Sequence, residues 1–325
     1  MRDYSDHATL TVSDCVVTAN KGGTLFGGIG INNELGPAAP VERGNPRDAG
    51  EAYADRPAGF PSLMVVNCII SDNSGSGVAN RSAIVTIINS SISGNFVGNS
   101  GGQFGTGGGI YTGGGKLPGN LTVINSTISG NFASLGGGGI ESDFSALSVV
   151  NSTISGNSIG DPDYGNGGGI GASSVTLVNS TVTGNSAAIC GGVCGGMVEI
   201  GNTILTANAA GNIDGSVTSH GYNISSDDAG GHLNGPGDQI NTDPLLGPLQ
   251  DNGGPTLTHL PMPASPRLTQ AIRTLLGHLI TTSAARVFTV CLVVALMSVQ
   301  LRHNHGRGAR LQHHGRLRTE VNSDH

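Results

Sequence analysis

The chain has 325 residues, of which 55 are Gly, 11% are charged and none is Trp. Gly without a G-X-Y period excludes collagen, and 37% apolar residues rich in β-branching argue against a disordered chain. Residues 1–266 hold 20 acidic and 7 basic side chains, a net of −13, whereas residues 267–325 hold 8 Arg against 2 acids, a net of +6. So acidic a body repels phosphate backbones and anionic lipid, and nucleic acid is not an expected partner.

The chain opens on Met1-Arg2-Asp3-Tyr4-Ser5-Asp6-His7 and runs straight into the strand-like Leu10-Thr11-Val12. No apolar export signal intervenes. With no signal peptide in this chain, the alternatives are a cytosolic protein or a fragment of a longer exported one, and the expectation is the fragment. A repeat then begins, anchored on Asp14, Asn67, Asn89, Asn125, Asn151, Asn179 and Asn202. Three residues after each anchor stands an aliphatic residue: Val17, Ile70, Ile92, Ile128, Ile154, Val182 and Leu205. Six residues after stands Asn: Asn20, Asn73, Asn95, Asn131, Asn157, Asn185 and Asn208. Apolar pairs such as Leu63/Val65, Leu121/Val123 and Val175/Leu177 precede the anchors by four and two positions. That alternation is a strand with one buried face.

The anchors are spaced by 53, 22, 36, 26, 28 and 23 residues. Coils of this length with variable loops fit a parallel β-helix, each coil adding about 4.8 Å. The step of 53 is either one coil with a long insertion or two coils with one motif lost. A leucine-rich repeat is excluded because no helical segment separates the strands. Residues 32–61 break the rhythm with five Pro and eight charges, and loops of this kind often form a solenoid's binding face.

Gly runs form the second half of the repeat: Gly107-Gly108-Gly109-Ile110, Gly137-Gly138-Gly139-Ile140, Gly167-Gly168-Gly169-Ile170, and a variant at Gly27-Gly28-Ile29. They suit tight corners, with the aliphatic residue after each run directed inward. The recurring Asn suits a structural ladder of stacked amides, namely Asn95, Asn125, Asn131, Asn151, Asn157, Asn179, Asn185 and Asn208. Triplets such as Asn125-Ser126-Thr127 are therefore read as ladder positions rather than glycosylation sites.

The Ile128–Asn131 and Gly137–Ile140 motifs resemble the paired motifs of chlamydial polymorphic outer membrane protein repeats. The repeated N-S-T-I-S-G-N, together with the segment from Asp243 to His259, more closely resembles bacterial right-handed β-helix proteins with a choice-of-anchor Q region. The resemblance covers residues 8–266. It implies an extracellular or cell-surface protein, of the outer membrane in the intact parent, anchored to the cell envelope. It supplies no activity.

The expected fold is therefore all-β: a single right-handed parallel β-helix over residues 1–231, a C-terminal part at 232–266, and an unrelated tail at 267–325. The expected function is a non-enzymatic, adhesin-like or carbohydrate-contacting scaffold with a carbohydrate or cell-surface ligand. The alternative is a polysaccharide lyase or glycoside hydrolase. Such enzymes need clustered acids for calcium beside a base, or a carboxylate pair. Glu141 and Asp143, with Asp161 and Asp163, are the weak candidates for calcium or catalysis. Loop acids of this kind are ordinarily solvated turn formers, and no lyase base stands near them except Lys116. No catalytic residue and no cofactor is assigned on this reading. Cys190 and Cys194 lack a second pair to make a zinc site, leaving either a local disulfide or free thiols.

The tail carries Val287–Leu301, a mostly apolar stretch of 15 residues followed by Arg302 and further Arg. The ordinary reading is a membrane anchor, which the basic flank suits, but the stretch falls short of the roughly 20 residues that span a bilayer. Back-translated from Arg267 and read one base earlier, the tail yields strings resembling the natural continuation of choice-of-anchor Q regions. The expectation is a frameshifted tail with little packed core.

Overall fold

The computed structural model describes residues 9–20, 31–34, 62–81, 84–99, 105–113 and 119–266. The expectations for the chain start, Gly27-Gly28-Ile29, Lys116, most of the 32–61 insertion and the whole tail from Arg267 lie outside the described residues.

The described chain is all-β, apart from one short 3-10 turn at Ala229–Gly231. Its strands stack in parallel, each repeat on the next, in a solenoid-like arrangement. One eleven-stranded sheet carries the Leu-x-Val segments, among them Thr9–Ser13, Ser62–Val66, Ile84–Ile88 and Asn120–Ile124. Leu10 pairs with Leu63, Leu63 with Val85, and Val85 with Leu121, so equivalent positions sit in register. The 53-residue step is thus one coil with a long insertion. The insertion's first residues belong to the solenoid, because Ile31–Glu34 pairs with Val78–Arg81.

After the anchor, the chain turns into a second, eight-stranded parallel sheet of short strands from Val16–Thr18 to Ile224–Ser225. Phe96–Val97, Phe132–Ala133 and Ser158–Ile159 make a third sheet, on which Phe96 and Phe132 stack with ring centroids 4.7 Å apart. The Gly run then returns the chain to the first sheet, where Ile31, Val78, Ile110, Ile140, Ile170, Val193 and Ile213 form one registered row.

Side chains from these rows make the core. Leu63, Val65, Ile70, Ile87, Ile92, Leu121, Ile128, Ile140, Ile154 and Ile170 are all buried in one cluster. Each such residue contributes about 1.5–3 kcal/mol when removed from water. No coil could bury its own apolar face alone, so the stack shares one core.

The inner Asn row is continuous. Nδ2 of Asn20 donates to Oδ1 of Asn73, and the bond repeats through Asn95, Asn131, Asn157, Asn185, Asn208 and Asn212 at 2.8–2.9 Å. Asn157 shows the full pattern. Its Nδ2 also donates to Ile128 O, and its Oδ1 accepts from the Asn131 amide nitrogens of both side chain and backbone. Every polar atom of the buried amide is used.

The anchor row is different. Asp14, Asn67, Asn89, Asn125, Asn151, Asn179 and Asn202 all hold φ between 49° and 54° and stand exposed or half-buried at the corner between sheets. Asn125, Asn151 and Asn179 are therefore registered but external. Their corner demands the left-handed conformation, which Asn and Asp tolerate best among residues with a side chain. Outer side-chain bonds link only some of the row, as from Asn67 to Asp14, Asn89 to Asn67, and Asn202 to Asn179.

A second internal ladder occupies the residue after the anchor. The backbone N–H of Ser90 donates to Ser126 Oγ, and the pattern continues through Ser152, Ser180, Thr203 and Asn223. Each Ser hydroxyl in turn donates to the carbonyl two residues earlier, as Ser126 does to Ile124 O at 2.8 Å. Both ladders end on carboxylates. Asp227 accepts from the Asn212 backbone N–H, and Asp238 accepts from Asn223 N and Nδ2.

Candidate functional site

Two places bring chemistry-bearing side chains together. The first is on the outer face of the first sheet, where Glu141 pairs in register with Tyr111 on one side and Gly171 on the other. Because Gly171 has no side chain, the Glu141 carboxyl folds over it. A Cβ built on Gly171 would meet Glu141 Oε2 at 2.5 Å, as would one on Gly137. The Glu141 residue is half-buried, but Oε2 is sealed and without a hydrogen-bond partner. Asp143, two residues on and therefore on the same face, shares a hydrogen bond with Glu141. Burial first, then the charge and hydrogen bond of Asp143, push the Glu141 carboxyl well above the usual range. Chemically this is a proton-holding dyad.

Asp161 and Asp163 do not share that task. They lie in a separate turn, where Asp161 Oδ1 accepts from the N–H groups of Asp163 and Tyr164 at 3.0 and 2.6 Å. Among the described residues, no group of three or more His, Cys, Asp or Glu is placed to hold a metal ion. Nearby, Cys190 and Cys194 are bridged by a disulfide, and Cys15 and Cys68 are thiols.

The second place follows from residues 232–266. This segment leaves the last coil and forms an antiparallel hairpin, Leu246–Gln250 with Thr258–Pro261, laid over the outer face of the second sheet. His259 fastens it, with Nε2 2.9 Å from Ser155 Oγ and Nδ1 2.7 Å from Gly247 O. Thr127 Oγ1 donates to Leu257 O at 2.5 Å, and Thr256 Oγ1 donates to Asn125 O at 3.3 Å.

Beyond these contacts the hairpin tip leaves a cleft of about 650 Å³ against the earlier coils. Its floor is Asn67, Ile69, Asn89, Ser91 and Ser93, and its wall is Asp251 and Gly254 to Leu257. The register explains the floor: alternate residues of the short strands point outward, placing Ile69 beside Ser91 and the Ser71 row beside Ser93. The Ser91 and Ser93 hydroxyls have no partner among the described residues. Sequence reading missed this cleft because its wall comes from a segment with no repeat period.

No family model, no curated protein and no solved structure matches this chain.

Proposed function

We propose that the chain is a single right-handed parallel β-helix, closed by a choice-of-anchor Q-like segment at residues 232–266. In this reading it serves a bacterial cell surface as a non-enzymatic, carbohydrate-contacting scaffold. The cleft under the hairpin carries the proposal. It offers two amides, two free hydroxyls and a carboxylate around the half-apolar floor of Ile69. Sugars present vicinal hydroxyls on a partly apolar ring, and a few placed polar groups over apolar surface meet both needs.

The test is retention of the full chain on a panel of immobilised bacterial polysaccharides, followed by calorimetry on any that retain it. Ser93→Val and Asp251→Ala should each weaken binding about tenfold, the loss expected for one good hydrogen bond. Retention of no polysaccharide, or binding indifferent to both substitutions, would overturn the reading.

A second reading, a lyase or hydrolase, draws on Glu141 as a carboxyl whose burial raises its affinity for a proton. Its geometry argues the other way for glycoside hydrolysis, because the two carboxyl groups touch, whereas both stereochemical classes need about 5 Å or more between them.

A further inference from the structure

We propose that Cys15 and Cys68 are the two halves of a disulfide that ties the first described coil to the next, formed by exchange with a small-molecule disulfide. The proposal is independent of any carbohydrate ligand. Both cysteines occupy the position directly after the anchor, which in the following coils holds Ser90, Ser126, Ser152, Ser180 and Thr203. Among the described coils, these two consecutive positions are the ones at which the ladder carries a thiol. The flanking strands are locked in register: Val16 pairs with Ile69, and Ile69 N–H donates to Cys15 O at 2.9 Å. Neighbouring parallel strands lie about 4.8 Å apart, inside the 4.4–6.8 Å between Cα atoms that a disulfide spans. The two sulfurs are 2.7 Å apart, so no backbone movement is needed to join them.

A serine in either place would continue the inner ladder, as Ser90 does by accepting from the Cys68 N–H at 3.1 Å. A thiol contributes only weak bonds: Cys68 Sγ donates to Val66 O at 3.2 Å and to Val12 O at 3.5 Å. Two adjacent thiols therefore weaken the ladder, and a disulfide would replace these weak bonds with a covalent link between the coils. Cys15 is the accessible partner, half-buried where Cys68 is buried.

The reaction balances as two exchange steps. The Cys15 thiolate attacks one sulfur of the small disulfide, forming a mixed disulfide and releasing one thiolate, which takes up the proton Cys15 lost. The Cys68 thiolate then attacks the Cys15 sulfur, releasing the second thiolate, which takes up the proton from Cys68. The two cysteines are oxidised by two electrons, and the reagent is reduced to two thiols. Burial first, then the neighbouring Cys68 and the charge of Asp14, push the Cys15 thiol up to about 11. Exchange is correspondingly slow and calls for excess reagent.

The experiment treats the reduced, folded full chain with excess oxidised glutathione at about pH 9.5 in a prolonged incubation, which raises the small thiolate fraction of Cys15. Remaining thiols are then alkylated, and a tryptic digest is mapped without reduction. The expected product is a cross-link between the peptide Asp3–Lys21 and the peptide ending at Arg81. Amide exchange within Thr9–Ser13 and Val16–Thr18 should slow about a hundredfold or more, as expected for closing a long loop. Cys15→Ser should fold with the Ser-type ladder bond in place and show neither effect. Alkylation or glutathione on both cysteines without the cross-link would overturn the proposal, as would a cross-link that forms only in denaturant.

Discussion

The same residue type does two unlike jobs six positions apart. Asn157 is an internal amide with all its bonds made, whereas Asn151 is an exposed corner with φ at 49°. Asn157→Leu removes the partners of Asn131, Ile128 O and Asn185 together, and urea unfolding should show a loss of about 3 kcal/mol or more. Asn151→Ala should lose only about 1 kcal/mol, the cost of a left-handed backbone, and Asn151→Gly should be neutral or slightly stabilising. Glu141 gives a pH signature. Its native carboxyl holds a proton that the unfolded chain has released, so stability falls as pH rises from the ordinary glutamate range toward the raised native value. Chemical unfolding of Glu141→Gln should lack that decline and exceed the parent at neutral pH, while matching it at about pH 3, where both parent states are protonated.

At the scale of the repeat element, the Gly runs are set by the approach of one backbone to the next. A Cβ on Gly138 would stand 2.5 Å from Gly168 O, whereas one on Gly156 meets nothing within 4 Å despite φ of +64°. Gly138→Ala should therefore cost about 3 kcal/mol and Gly156→Ala about 1 kcal/mol in thermal unfolding, an ordering that φ alone would reverse. The parallel strands and the inner Asn row were legible in the sequence, because fixed spacing repeated over seven copies leaves little choice of register. The Ser ladder was equally visible as Ser90, Ser126, Ser152 and Ser180, but a small polar residue beside a corner reads as turn chemistry. The split between the two Asn rows was not legible, since Asn suits both a left-handed corner and a buried amide. Nor was the enclosure of Glu141, which depends on the missing side chain of Gly171 in the next coil.

At the scale of the molecule, the hairpin is a long-range fastening. Its bonds at Asn125, Thr127 and Ser155 join residues more than a hundred positions apart in the chain. His259→Ala removes two of the contacts that set the hairpin's position. Hydrogen exchange should speed up through Leu246–Gln250 and Thr258–Pro261, with little change in the core strands beneath them. That response would mark the hairpin as a separately opening unit over the cleft.

The inner Asn row also has a direction. Between its own members each side-chain amide donates to the next Asn along the chain, while also donating back to an earlier carbonyl, and the run closes where Asn212 Nδ2 reaches Ser225 and Ser226 Oγ and its backbone N–H reaches Asp227. Burial pushes the Asp227 carboxyl up, but bonds from Ser225, Ala229 and Asn212 outweigh it and hold the group below the ordinary aspartate range. Interrupting the row at any coil would therefore leave a side-chain donor without its acceptor. The array behaves as a growing polymer with a reactive end, and the aspartate acts as its chain terminator. A chain cut before residue 227 would leave the Asn212 backbone N–H without its carboxylate acceptor and open to any acceptor nearby.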